Sequence, residues 1–136
     1  MKLSTRTRYG IRALIDLSRN AHDKPVSVKE IAGRQKISTR YLENIFHELT
    51  SAGILGSSKG KGGGFYLEKQ LGEINILTIM EILEGELAIL DCLADESCCE
   101  NMGTCSTRGT WKKLNNDIRQ AFSNVTLADI QNTPDG

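Results

Sequence analysis

The chain has 136 residues, 39% of them hydrophobic and 25% charged, which suits one globular domain of ordinary size with a helical extension and excludes a large multidomain enzyme. No run approaches the roughly 20 apolar residues that a membrane-spanning helix needs, and the first dozen residues carry charge where a secretory signal would be apolar. The expected compartment is the cytoplasm, with no membrane partner.

Basic and acidic residues balance at 17 each but are segregated along the chain. Residues 1–70 hold 13 Lys and Arg against 6 Asp and Glu, whereas residues 71–136 hold 4 against 11. A basic first half points to a polyanionic partner. All four cysteines, Cys92, Cys98, Cys99 and Cys105, lie within fourteen consecutive residues of the acidic half. In a cytosolic chain such clustering favours metal or redox chemistry over a disulfide framework.

Ile11, Leu14, Ile15 and Leu17 recur at helical spacing behind Ser4 and Thr5, which predicts a first amphipathic helix over about residues 5–20. Ser27-Val28-Lys29-Glu30 has the form of a capping box and opens a short second helix, about Val28 to Arg34. Ser38 is a good N-cap for a third helix, with Leu42, Ile45, Phe46 and Leu49 on one face and Gly53 at its C-terminal cap. Two short helices joined by a tight turn predict a helix-turn-helix, packed through Ile31, Ala32, Ile37, Leu42 and Ile45. Lys36 stands in the turn where such motifs often have glycine.

Ile54-Leu55 and Phe65-Tyr66-Leu67 flank a basic, glycine-rich tip, which predicts a β-hairpin wing. Ile76, Leu77, Ile79, Met80, Ile82 and Leu83 form a further helix that ends near Gly85. The cysteine segment after it is too poor in periodic apolar residues to be a regular element. Beyond it, Trp111, Leu114, Ile118, Ala121, Phe122 and Val125 repeat at spacings of three and four, a seam like that of paired helices. Thr126 to Asp129 caps a last short turn. The expected fold is thus mainly α: a winged helix-turn-helix with a small β-hairpin wing and a long C-terminal dimerisation helix. Its parts are the DNA-binding domain over 1–70, a connecting helix over 71–90, a cysteine loop over 91–107, and the dimerisation helix with its C-terminal turn over 108–130.

The second helix of a helix-turn-helix enters the major groove, so Ser38, Thr39, Arg40, Glu43 and Asn44 are the side chains expected at base edges and nearby phosphates. Arg40 suits guanine, Asn44 adenine, and Glu43 cytosine. Lys59 and Lys61 on the wing, with Arg6, Arg8 and Arg12 of the first helix, are expected to meet phosphates. The glycine run lacks the Gly-Lys-Ser or Gly-Lys-Thr ending and the following helix of a phosphate-binding NTPase loop. His22 and His47 stand apart from any cysteine or carboxylate pairing of catalytic type, so no enzyme is expected.

The cysteines allow two spacings, Cys92-x5-Cys98-x6-Cys105 and Cys92-x6-Cys99-x5-Cys105. Close thiolates suit iron–sulfur ligation, while zinc prefers paired Cys-x2-Cys knuckles, which are absent. A bare thiol switch is the remaining chemical reading, and incidental packing the non-chemical one.

Met1-Lys2-Leu3-Ser4 with Arg8-Tyr9-Gly10, then Tyr41-Leu42-Glu43, Lys59-Gly60-Lys61-Gly62-Gly63-Gly64-Phe65, and the cysteines followed by Arg108 and Trp111, together resemble the IscR family of bacterial transcription regulators, which includes NsrR and RirA. The resemblance runs over about residues 1–130 and rests on five separated motifs in order. It implies a homodimer in which the long helix after the cysteine loop crosses its partner, each subunit offering a winged helix to one half of a near-palindromic double-stranded DNA site. It also implies an iron–sulfur cluster. IscR-type members hold 2Fe-2S on three cysteines and a histidine three residues after the last; NsrR-type members hold 4Fe-4S with an aspartate near the N-terminus. Those two positions are Arg108 and Arg8 here, and neither ligates iron at neutral pH, because a guanidinium stays protonated. The fourth ligand therefore falls to the adjacent cysteine of the Cys98–Cys99 pair or to Asp91, Asp95, Glu96 or Glu100, with thiolate the commoner donor.

The resulting expectation is a dimeric DNA-binding regulator, a repressor or dual regulator, controlled by a cluster, 2Fe-2S in the first instance and 4Fe-4S otherwise, and tied to iron–sulfur cluster biogenesis. The alternatives are a nitric oxide or iron sensor with 4Fe-4S, and a cluster-independent winged-helix regulator switched by thiol oxidation or a protein partner.

Overall fold

Ser4 starts the first helix by accepting a hydrogen bond from the Thr7 amide at 3.1 Å, and Ser27, Ser38, Asn75 and Thr126 open later helices in the same way. The computed structural model describes residues 2–21, 23–95, 97, 100 and 103–133. Helix α1 (Thr5–Asn20) buries Ala13, Leu14 and Leu17 completely. Helix α2 (Val28–Gln35) begins at Ser27, whose hydroxyl accepts from the Glu30 amide at 3.2 Å. Only the serine half of the expected capping box forms, because the Glu30 carboxylate turns to Arg34 at 3.8 Å. The helix runs one residue past the expected Arg34. It stops at Lys36, whose φ of 57° and ψ of 47° place a lysine in the left-handed region at a cost of about 1–2 kcal/mol.

Helix α3 (Thr39–Ser51) starts at Ser38, which caps the Tyr41 amide at 3.1 Å, and buries Leu42, Ile45, Phe46 and Leu49 to 0% exposure. After Ala52, Gly53 turns the chain with φ +82°. Strands β1 (Leu55–Ser58) and β2 (Gly64–Leu67) pair antiparallel, Leu55 opposite Leu67 and Ser58 opposite Gly64. The hairpin is pinned to the body by Val26, which exchanges two backbone hydrogen bonds with Phe65 at 2.9 and 2.8 Å. That approach requires glycine at 64, where a Cβ would sit 2.4 Å from the Val26 carbonyl.

A 3-10 turn over Leu71–Glu73 leads to α4 (Ile76–Glu84), capped by Asn75 and ended at Gly85 with φ +92°. α4 packs on α1 and α3 through Ile79, Met80 and Leu83. Its contact with α1 is so close that a Cβ on Gly10 would lie 2.8 Å from Leu83 Cδ1. The cysteine segment, expected to be irregular, opens with one helical turn, α5 (Asp91–Ala94). α6 (Arg108–Ser123) lies along α4, and α7 (Leu127–Asn132) returns to the body. The start of α7 is held by the Thr126–Asp129 capping box and by the Ile76 amide on the Val125 carbonyl and the Leu127 amide on the Ile74 carbonyl, both at 2.9 Å. The architecture of the described residues is a mainly helical winged helix-turn-helix with one two-stranded hairpin. No described helix is long and apolar enough to cross a membrane.

Candidate nucleic-acid interface and cysteine segment

The 3.6-residue period of α3 divides its side chains cleanly. With Leu42, Ile45, Phe46 and Leu49 turned inward, Ser38, Thr39, Arg40, Glu43 and Asn44 are all exposed. Ser38, Arg40, Tyr41 and Asn44 line a shallow concavity of about 350 Å3 on this face. Among the described residues, none hydrogen-bonds the side chains of Arg40, Glu43 or Asn44, so their donors and acceptors are open to a partner.

Lys59 and Lys61 are exposed on the wing tip, where Gly60 and Gly62 take φ of +93° and +79° and the Gly63 amide closes the turn on the Gly60 carbonyl at 2.9 Å. The wing base is fixed to α3 by Phe65, which meets Phe46 edge to face with centroids 5.1 Å apart.

The first-helix arginines differ from one another. Arg8 is exposed and, among the described residues, its side chain hydrogen-bonds only the Thr5 hydroxyl, at 3.2 Å. Arg6 and Arg12, both expected at phosphates, are engaged within the chain. Arg6 pairs with Glu48 of α3, and that hydrogen bond raises its already high pKa. Arg12 donates to the Gln35 carbonyl at 2.6 Å and its side-chain oxygen at 3.2 Å, and lies over the Tyr9 ring at 5.2 Å. It thereby satisfies a carbonyl left open at the end of α2.

Beneath Arg12, Asp16 carries the polar core of the motif. Its carboxylate receives both Arg34 Nε and Nη2, the closest contact at 2.7 Å, and Gln35 Nε2 at 2.8 Å. Burial pulls the Asp16 carboxyl upward, but the hydrogen bonds from Arg34, Gln35 and Asn20 outweigh it and hold the group below the ordinary carboxylate range. α2 is thus clamped to α1 at two points, Arg34 and Gln35, just before the turn into α3.

In the cysteine segment, Cys92 is half-buried on α5 and Cys105 is exposed, both as free thiols. The Cys105 sulfur lies 3.4 Å from the Thr107 hydroxyl, and the hydrogen bonds of Thr107, with the Arg108 amide and charge behind them, pull its thiol below the ordinary range. Cys98 and Cys99, with Glu96 and His22, lie outside the described residues. Among the described residues no three His, Cys, Asp or Glu side chains converge on one point. Asp91, Asp95 and Glu100 are exposed, and Asp95 is engaged by the Ser97 amide and hydroxyl at 3.0 and 2.7 Å, which hold its carboxyl low.

The seam residues of the last part of the chain fall into two groups. Trp111, Leu114, Ala121 and Val125 are exposed, whereas Ile118 and Phe122 are half-buried against the chain's own core. Trp111, Leu114 and Val125 make up half of the large hydrophobics that the described residues expose. The polar edge of α6 carries residues the sequence pattern did not single out: Arg119 forks onto Glu81 of α4, and Asn115 accepts from the Ile89 amide at 2.8 Å. Their partners lie 38 and 26 positions away, beyond any helical spacing rule.

Comparison with known proteins agrees with the fold. The family model Rrf2, described as an iron-dependent transcriptional regulator, matches residues 3–133. Protein rrf2 of Nitratidesulfovibrio vulgaris is 37% identical over 130 residues, covering 96% of this chain and 87% of that protein. The structure of CymR, the global cysteine regulator of B. subtilis, superposes with a TM-score of 0.79 at 29% identity, covering 99% of both chains. IscR of T. potens superposes with a TM-score of 0.74 at 30% identity, covering 100% of this chain and 94% of that one.

Proposed function

The chain belongs to the Rrf2 family of transcriptional regulators, and on that premise we propose that it works as a homodimer on two-fold double-stranded DNA sites, under the control of an iron–sulfur cluster held by its cysteine segment. The observation that carries the DNA reading is the open face of α3: Arg40, Glu43 and Asn44 are exposed and without intramolecular hydrogen bonds among the described residues, beside a basic wing anchored to the same helix. Arg40 and Asn44 read base edges, Glu43 accepts from cytosine, and Ser38 and Thr39 with Lys59, Lys61 and Arg8 hold phosphates. The dimer reading is supported by the exposed apolar strip of Trp111, Leu114, Ala121 and Val125. Paired two-fold through α6, the subunits present their reading helices one helical turn of DNA apart, about 34 Å, or a multiple of it.

The donor chemistry of the cysteine segment fits an iron–sulfur cluster. Cys92 and Cys105 are free, at least partly accessible thiols, and the surroundings of Cys105 favour thiolate, the form that binds iron. Cys98 or Cys99 completes the three-cysteine set, and the other member of that pair is the preferred fourth donor. When bound, such a cluster supplies an iron- and oxidant-sensitive cross-link within residues 91–107. The Thr107 hydrogen bonds, with the Arg108 amide and charge behind them, lower the Cys105 thiol toward the form that binds iron, and the segment is tied to α6 through the connector that precedes it. Regulation of cluster biogenesis is the role we assign, with 2Fe-2S as the cluster. The test is anaerobic reconstitution with iron and sulfide counted per chain, paired with Cys92→Ser. A coloured parent, a colourless variant and an intact dimer are expected, and retained colour in the variant places the ligands elsewhere. A parent that takes up no iron but changes DNA affinity on thiol oxidation would favour the second reading, a thiol switch, which likeness to CymR also accommodates.

A further inference from the structure

α6 meets the body along α4, and two polar clasps hold it, one to α4 and the connector after it, the other to that connector alone. Arg119 Nη1 donates to Glu81 Oε2 at 3.0 Å and to the Leu87 carbonyl at 3.2 Å, while Nη2 donates to Glu81 Oε1 at 3.2 Å. One turn earlier, Asn115, only 8% exposed, accepts the Ile89 amide at 2.8 Å. From this geometry we infer that Arg119 and Asn115 are positioning residues that set the angle between α6 and the DNA-binding body, and so determine which operator half-site spacing the dimer accepts. The inference rests on the dimeric reading above and adds the residues that would set its spacing.

Apolar contacts such as those of Ile118 and Phe122 are non-directional and tolerate sliding. Two hydrogen-bonded clasps one helical turn apart restrain rotation as well as distance. The path from α4 to α3 is close-packed: Leu83 lies against Gly10, the Glu84 carboxylate accepts the Ser4 amide at 2.9 Å, and α4 packs directly on α3. A change in the α6–α4 angle is therefore delivered to α3, and two-fold pairing repeats it in the partner. One base pair moves a half-site by about 3.4 Å and about a tenth of a turn, so a stiff angle makes binding sensitive to single insertions. Arg119 and Glu81 side chains are each 30% exposed, and ion pairs so exposed add little stability. Removing the pair thus leaves the fold standing and changes the geometry.

The experiment uses the full chain. An operator is first selected from random duplexes, and its two half-sites are then moved one and two base pairs closer and farther apart. Binding to this series is measured by fluorescence anisotropy at one salt concentration, and mass by light scattering, for the parent, Arg119→Ala, Arg119→Lys and Glu81→Gln. The parent is expected to discriminate sharply among spacings. Arg119→Ala should reduce that discrimination at least about fivefold, the lower end of ordinary coupling between sites, with mass and single half-site binding unchanged. Arg119→Lys, which keeps the charge but loses the fork, should fall between. A dimeric Arg119→Ala with the parent's spacing profile overturns the inference. Should that variant fail to fold, Glu81→Gln decides, and an unchanged profile there overturns the inference too. A monomeric parent overturns the dimeric reading and this inference together.

Discussion

Phe46 and Phe65 meet edge to face, with centroids 5.1 Å apart and ring planes inclined by 72°. Phe46 is wholly buried at the centre of α3, and Phe65 sits on β2 where Val26 pins the wing to the body. The reading helix and the wing thus share one joint, and a change there reaches both. Phe65→Ala should cost about 2 kcal/mol in urea unfolding, below the about 3–5 kcal/mol typical of a fully buried phenylalanine, because Phe65 is half-buried. DNA affinity should fall for all sequences alike, since the wing carries phosphate contacts. A loss confined to one base position would contradict this division of labour.

Arg40 stands on the exposed face of α3 with no intramolecular hydrogen bond among the described residues to hold it. Arg40→Ala should weaken specific binding by about 1–3 kcal/mol and relax preference at one position in each half-site. Selection from random duplexes measures this, and an operator profile identical to the parent's would remove Arg40 from the reading set.

Lys59 and Lys61 extend from the wing tip without carboxylate partners among the described residues. Replacing both with alanine should weaken binding to every sequence and flatten the plot of log affinity against log salt by about 2 per subunit engaged. An unchanged slope would show that the tip stays clear of the phosphates.

Asp16 gives the fold a dependence on acidity. Its carboxyl sits lower in the folded chain than the ordinary value of about 4, so the folded state favours the carboxylate. That contribution is present in full above the ordinary value and is lost as pH falls through the folded one. Asp16→Asn should cost about 1–3 kcal/mol at neutral pH, with Arg34 left short of its acceptor. The gap between parent and variant should narrow as pH falls below the ordinary carboxylate value. Urea midpoints across this range provide the measurement, and a gap constant with pH would mean the charge of Asp16 contributes nothing.

The sequence by itself determined the helices, the wing and the outward face of α3, because each is written in local signals. Ser4, Ser27, Ser38 and Thr126 cap their helices, and the 3.6-residue period of Leu42, Ile45 and Leu49 leaves Arg40, Glu43 and Asn44 outside. The grouping of the cysteines was visible in the sequence, although the first turn of their segment, α5, had no periodicity to announce it. Only the tertiary structure decided which charges are spent inside the chain. Arg6, Arg8 and Arg12 look alike along α1, yet Glu48 and Gln35, brought close by packing of α3 and α2, engage the first and third. The same holds for Asp16 with Arg34 and for Glu81 with Arg119, partners 18 and 38 positions apart. The apolar period of α6 was legible, but its division was not: Ile118 and Phe122 turn to the core, whereas Trp111 and Leu114 stay exposed. Periodicity defines the face of one helix, and which part of that face is covered depends on where α4 lies, which is set by long-range packing.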